Sequence, residues 1–154
     1  MTSSGLNGVT AGSSAISTVG QDEVGLTYRG YSITDLAANS TFEEVAYLLI
    51  YGKLPGQIEL DAYKKKLVGM RSLPDALKTL LESLPGSTHP MDVLRTGTSL
   101  LGTVETEGQG GRTAVAIGDR LTASFGSMLA YWYRFHSRNE RIETESEENT
   151  VAGH

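Results

Sequence analysis

Apolar residues recur at helical spacing along most of this chain, most densely around the run THPMDVLRTGTSLLG at 88–102. Val93, Gly97, Leu100, Leu101 and Val104 form one stripe, Met91 and Leu94 widen it, and Asp92, Arg95, Thr96 and Ser99 are left on a narrow polar face. A helix this apolar belongs at the centre of a fold, with other helices packed around it. Pro90 has no N–H to lose in a first helical turn, and Asp92 places a negative charge near the positive end of the helix dipole. Gly97 in mid-helix costs about 1 kcal/mol against Ala, which makes sense where a second helix crosses closely.

The same period marks the neighbouring segments. Ser40 and Glu43 have capping-box spacing ahead of Phe42, Val45, Ala46 and Leu49, and Gly52 and Pro55 end that helix. A helix over 57–70 sets Leu60, Tyr63, Leu67 and Met70 on one side and turns Lys64, Lys65 and Lys66 mostly towards water. Another opens at Pro74 and buries Leu73, Leu77, Leu80, Leu81 and Leu84. The clearest amphipathic pattern spans 113–137, with Ala114, Ile117, Leu121, Phe125, Met128, Trp132 and Phe135 spaced by three and four, and with Ala123, Gly126 and Ser127 leaving room for a close neighbour.

Strand signals are confined to the start of the chain. AISTV at 15–19 and LTY at 26–28 flank GQDEVG as a hairpin, and a short helix follows over 32–38. The resulting expectation is a mainly α protein with a small N-terminal β-hairpin: a flexible segment at 1–14, a hairpin region at 15–31, a helical domain at 32–138, and a polar, acidic, exposed connector at 139–154.

Composition narrows the function classes. With 154 residues, 39% hydrophobic and 20% charged, the chain suits one domain with a real core. A net charge of −5 argues against nucleic acid or an anionic membrane surface as partner. No apolar run approaches membrane-spanning length, no secretory leader is visible, and the lack of cysteine fits a cytoplasmic setting and excludes thiolate chemistry.

Candidate chemistry is sparse. His89 and Asp92, three apart, have the residue types of an acid/base pair, but their place at a helix start favours capping and dipole roles. His89, His136 and His154 are too dispersed for a zinc site, and no metal is expected. GQGGR at 108–112 lacks both phosphate-loop spacings and reads as a plain loop, and Lys64–Lys66 reads as a solvated face. No GxSxG elbow exists. The residues by themselves nominate no catalytic and no cofactor-binding set.

Longer segments do carry a resemblance. AGSSAISTVGQDEVGLTYRGYSITDLA, STFEEVAYLLIYGKLP, ELDAYKKKL, LPGSTHPMDVLRTGTSLLG and YWYRFHSRNERI, in this order and spacing, resemble the N-terminal part of the citrate synthase family, with the greatest similarity to its bacterial 2-methylcitrate synthase branch. TYRGY at 27–31, FEEVAYLL at 42–49 and HPMDVLRTG at 89–97 are specific in combination. The resemblance implies a mostly helical fold that forms part of a large domain, assembly as a homodimer or higher homo-oligomer, and a reaction joining acyl-CoA to oxaloacetate. In that reaction a histidine and an aspartate enolise the acyl group, a second histidine polarises the ketone, and the condensed thioester is hydrolysed. Acyl-CoA is then a substrate, and no cofactor is implied. The family's catalytic runs, GPKHGGAN-like and GFGHPVY-like, are absent here, and His89 in HPM matches neither. The resemblance therefore implies a catalytically inactive N-terminal piece of an acyltransferase; a standalone helical binding or assembly module is the alternative.

Overall fold

The computed structural model describes residues 12–18 and 25–154. The chain divides into two compact units, one reaching to Thr41 and one running from Phe42 to His154.

The described part of the first unit holds strands β1 (Ser17–Thr18), β2 (Thr27–Tyr28) and β3 (Tyr31–Ser32), followed by helix α1 (Ile33–Asn39). The strands form an antiparallel sheet in chain order, with Thr18 opposite Thr27 and Tyr28 opposite Tyr31. The expected pairing of the first two strands is present, and β3 is an addition. It arises because Arg29 and Gly30 both take positive φ (51° and 89°), the combination that lets two residues close a tight hairpin. Residues 1–11 and 19–24, and with them most of the expected flexible start and hairpin loop, lie outside the described residues.

The second unit is a helical bundle of α2 (Phe42–Tyr51), α3 (Gln57–Val68), α4 (Asp75–Ser83), α5 (Pro90–Val104) and α6 (Ala114–Arg138), with a single 3-10 turn at Gln109–Gly111 before α6. One core joins Leu73, Leu77 and Leu81 to Val93, Leu101, Met128, Tyr131 and Trp132; a second joins Ala46, Tyr63 and Leu67 to Ala123. Both include residues of α6, which packs on α2, α3, α4 and α5, whereas α5 packs on α4 and α6. The organising helix is therefore α6 and not the expected α5. At 25 residues α6 is long enough to pass both cores.

The close crossing expected at Gly97 is present: a Cβ there would lie 3.2 Å from Met128 Sδ and 3.5 Å from Leu77 Cδ1. The apolar stripe of α5 is narrower than its sequence suggests, because Met91 and Val104, at the two ends of the helix, are exposed. In α2 the buried positions are Glu43, Ala46 and Leu48, and Phe42 is exposed. Glu43 accepts the Val151 N–H at 2.8 Å, a link from helix to tail that Ser40–Glu43 capping-box spacing did not suggest.

That tail is a further departure from expectation. Residues 139–154, read as an exposed acidic connector, fold back along the bundle. Thr144 is buried and its Oγ1 accepts the Leu73 N–H at 3.2 Å. Arg71, which is 1% exposed, donates to the carbonyls of Ser146 (3.2 Å), Glu148 (2.7 Å) and Thr150 (2.7 Å). The acidic side chains remain largely outside while the backbone is captured. A composition-based reading sees the former only.

Candidate functional site

Of the positions singled out by sequence, His89 and Asp92 share the start of α5, and the other two histidines make separate contacts. His89 is the N-cap of α5 and its Nδ1 accepts the Met91 N–H at 3.2 Å; Asp92 pairs with Arg95 at 3.1 Å on the exposed surface. Both serve the helix start, as their position suggested. His136 makes a 3.1 Å hydrogen bond from Nε2 to the Leu81 carbonyl, and His154 lies between Ser127 and Ser146. Among the described residues no group of three His, Cys, Asp or Glu side chains is arranged to hold a metal ion.

One hollow lies between the end of α5 and the start of α6. It is a cavity of about 330 Å³, walled by Leu101, Gly102, Ile117 and Leu121 and completed by Glu105, Arg112 and Arg120. Gly108, Gly110 and Gly111 all take positive φ in the loop beside it, which explains why the GQGGR run is glycine-rich. Arg120 donates to Glu105 through Nε (3.1 Å) and Nη2 (2.9 Å), and to the carbonyls of Met70 and of Ser72 (2.8 Å). Arg112 adds a looser contact to Glu105 at 3.5 Å. The guanidinium of Arg120 is thus spent on joining α5, α6 and the α3–α4 link, and it offers little to a bound anion.

A second polar cluster bridges α2, α3 and α6. Asp119, wholly buried, accepts from Lys66 Nζ at 2.5 Å and from the Tyr51 hydroxyl at 2.6 Å. Burial works against the Lys66 charge, but the hydrogen bonds and charges of Asp119 and Tyr51 outweigh it and hold the ammonium pKa above its ordinary value. Burial, then the adjacent Asp119 carboxylate, raises the Tyr51 hydroxyl. Lys66 therefore departs from the solvated face expected for the lysine run. The signal for this cluster was Asp119 itself, four and eight residues before Ala123 and Ser127, on the face whose small side chains admit a neighbour. On the far side of the bundle, Glu82 receives Arg141 at 2.7 and 2.8 Å and the Tyr131 hydroxyl at 2.7 Å. Those two donors hold its pKa down at about 2.

In each cluster charges meet partners from other elements, although Asp119 Oδ1 is buried without a hydrogen-bond partner, and no cluster places a nucleophile, base and oxyanion donor around shared empty space.

Comparison with known proteins identifies the family. The family profile described as citrate synthase, C-terminal domain, matches residues 5–154. A 2-methylcitrate synthase of Shewanella oneidensis is 53% identical over all of this chain, which spans 41% of that protein's length. A 2-methylcitrate synthase of Corynebacterium glutamicum is 46% identical over 66% of the chain, corresponding to 26% of its own length. Among solved structures, the citrate synthase of Thermotoga maritima superposes with a TM-score of 0.75 at 34% identity, covering 92% of this chain and 37% of its own. The Thermoplasma acidophilum citrate synthase, solved with carboxymethyl coenzyme A and oxaloacetate, shares the fold with a TM-score of 0.79 at 22% identity, over 96% of this chain and 39% of its own. An all-helical bundle with a minor sheet, matched along nearly its whole length at this identity, makes the chain a member of the citrate synthase family.

Proposed function

We propose that this chain is the N-terminal scaffold of an acyl-CoA:oxaloacetate C-acyltransferase, specifically a 2-methylcitrate synthase converting propionyl-CoA, oxaloacetate and water to 2-methylcitrate and CoA. The observation that carries the reading is the 53% identity to the Shewanella oneidensis 2-methylcitrate synthase across every residue of the chain. Citrate synthase, with acetyl-CoA, is the second reading, favoured by the 34% identity to the Thermotoga maritima enzyme. One methylene separates the two acyl groups and is worth about 1–3 kcal/mol of discrimination in a fitted pocket. The polar clusters described above support the scaffold role: enolising a thioester requires a positioned acid and base facing substrate, and the charges of those clusters are engaged with partners on other elements. Synthase activity, substrate binding and assembly as a homodimer or higher homo-oligomer in the cytoplasm belong, in this reading, to the longer enzyme, with acyl-CoA as a substrate and no cofactor.

A chimera provides the test. The corresponding region of the Shewanella oneidensis enzyme is replaced by this chain, and thiol release is measured with oxaloacetate and either acyl-CoA. The expected result is turnover with kcat/KM higher for propionyl-CoA. A folded chimera without activity overturns the scaffold assignment, and a higher kcat/KM for acetyl-CoA in the natural full-length protein overturns the methylcitrate assignment.

A further inference from the structure

The folded-back tail ends in a relay of four polar groups that no catalytic role absorbs. Arg71 Nη1 donates to Ser146 Oγ at 3.0 Å; Ser146 Oγ lies 2.8 Å from His154 Nδ1; and His154 Nε2 lies 2.8 Å from Ser127 Oγ on α6. Arg71 can only donate, so Ser146 Oγ accepts from it and is free to turn its own proton to Nδ1. With that proton directed at Nδ1, Nε2 carries the imidazole proton and donates it to Ser127, which is 1% exposed, and in this tautomer the relay runs in one direction through a neutral ring.

A second proton has no good place. On Nδ1 it would displace the Ser146 hydroxyl proton and set a second positive charge near Arg71, whose hydrogen-bond partners here are carbonyls and a hydroxyl and not carboxylates. Of the other charged groups nearby, the Glu148 and Glu43 carboxylates both act on Arg71; Glu43 on α2 accepts the Val151 N–H, Glu148 lies by Gly153, and the two hydrogen bonds of the His154 ring go to serine hydroxyls instead. We infer that residues 139–154 form a pH-gated strap, latched to the bundle by a neutral His154 seated between Ser127 and Ser146. Burial, followed by the charge of Arg71, lowers the His154 pKa below its ordinary 6.5, in agreement with this geometry. The sign follows: the undocked strap binds the proton more readily, so docking is complete above about pH 6.5 and weakens as the pH falls below it.

Hydrogen exchange of the strap amides, corrected for intrinsic rates, tests this in the whole chain between about pH 7.5 and about pH 4.5. Wild type is expected to lose protection over 144–153 by about tenfold per pH unit once His154 begins to charge. His154→Gln, whose side-chain amide can donate to Ser127 and accept from Ser146 without titrating, is expected to stay protected where wild type opens. Glu43→Gln is expected to keep the wild-type pH response. An equal response in His154→Gln, or its loss in Glu43→Gln, overturns the latch. A long-range nitrogen–proton NMR spectrum of wild type at neutral pH is expected to show the proton on Nε2; a proton on Nδ1 overturns it independently.

Discussion

At Gly97 the backbone of α5 lies so close to its neighbours that a methyl group would press on Met128 Sδ. Gly97→Leu is therefore expected to destabilise the bundle by about 1–3 kcal/mol through overpacking, despite Leu being the better helix former; urea unfolding with an unchanged or higher midpoint would contradict the crossing. The Lys66–Asp119 pair gives a second residue-scale test. Lys66→Met leaves a wholly buried carboxylate without its cation, at a cost on the order of 2–3 kcal/mol, below the range for a fully buried pair because the lysine end meets water. Lys66→Met with Asp119→Asn should recover much of that loss, and a double variant no more stable than Lys66→Met would deny the pairing. Glu82 supplies a pH-dependent test: its pKa falls from 4.5 to about 2 in the folded protein, chiefly through Arg141 and Tyr131. A depressed carboxylate stabilises the fold above about pH 4.5 and loses that contribution as the pH falls towards 2, so Glu82→Gln should flatten the stability profile across that interval. Gly97 was legible in the sequence because a glycine inside an apolar helix asks for a reason. The pairing of Asp119 was not, because a charge in a helix pattern points to solvent unless its partner, 53 residues away, is known, and Arg71, in the link between α3 and α4, binds carbonyls 77 and 79 residues further on.

Among the elements, α6 was placed correctly and faced correctly in part. Of its expected stripe Met128 and Trp132 are buried and Leu121 packs against the core, but Phe125 is exposed, and burial falls also on Asp119, Ala123, Ser124, Ser127 and Tyr131. Small and polar side chains win there because other helices approach closely and several of their polar atoms find partners: Ser124 Oγ donates to the Arg120 carbonyl at 2.8 Å, and Asp119 Oδ2 receives Lys66. Hydrophobicity alone cannot rank a satisfied serine above an exposed phenylalanine. The strap at 139–154 was misread for a related reason, since its grip comes from backbone carbonyls, which composition does not reveal. Arg71→Met is expected to release it. Limited digestion with a glutamate-specific protease should then cut at Glu145, Glu147 or Glu148 far faster than in wild type, and equal rates would show that Arg71 does not hold the strap.

For the whole molecule, the exposed apolar residues set the expectation for association. Val115 and Tyr133, eighteen residues and five turns apart on α6, lie on one line of the helix and are 39% and 62% exposed, and Met91 on α5 is 64% exposed. Each such side chain left in water forgoes about 1.5–3 kcal/mol of burial, so the chain is expected to self-associate at micromolar concentration, through a two-fold contact that the proposed longer enzyme would also use. Sedimentation velocity reporting a monodisperse monomer would instead favour a self-sufficient module. The central claim, that this chain is the non-catalytic scaffold of an acyl-CoA:oxaloacetate acyltransferase, is tested most directly by thiol release from propionyl-CoA with oxaloacetate, measured side by side for the isolated, mass-verified chain and for the chimera that carries it. The expected result is an isolated chain at the blank rate beside an active chimera; turnover by the isolated chain, or a folded chimera that stays at the blank, would contradict the account.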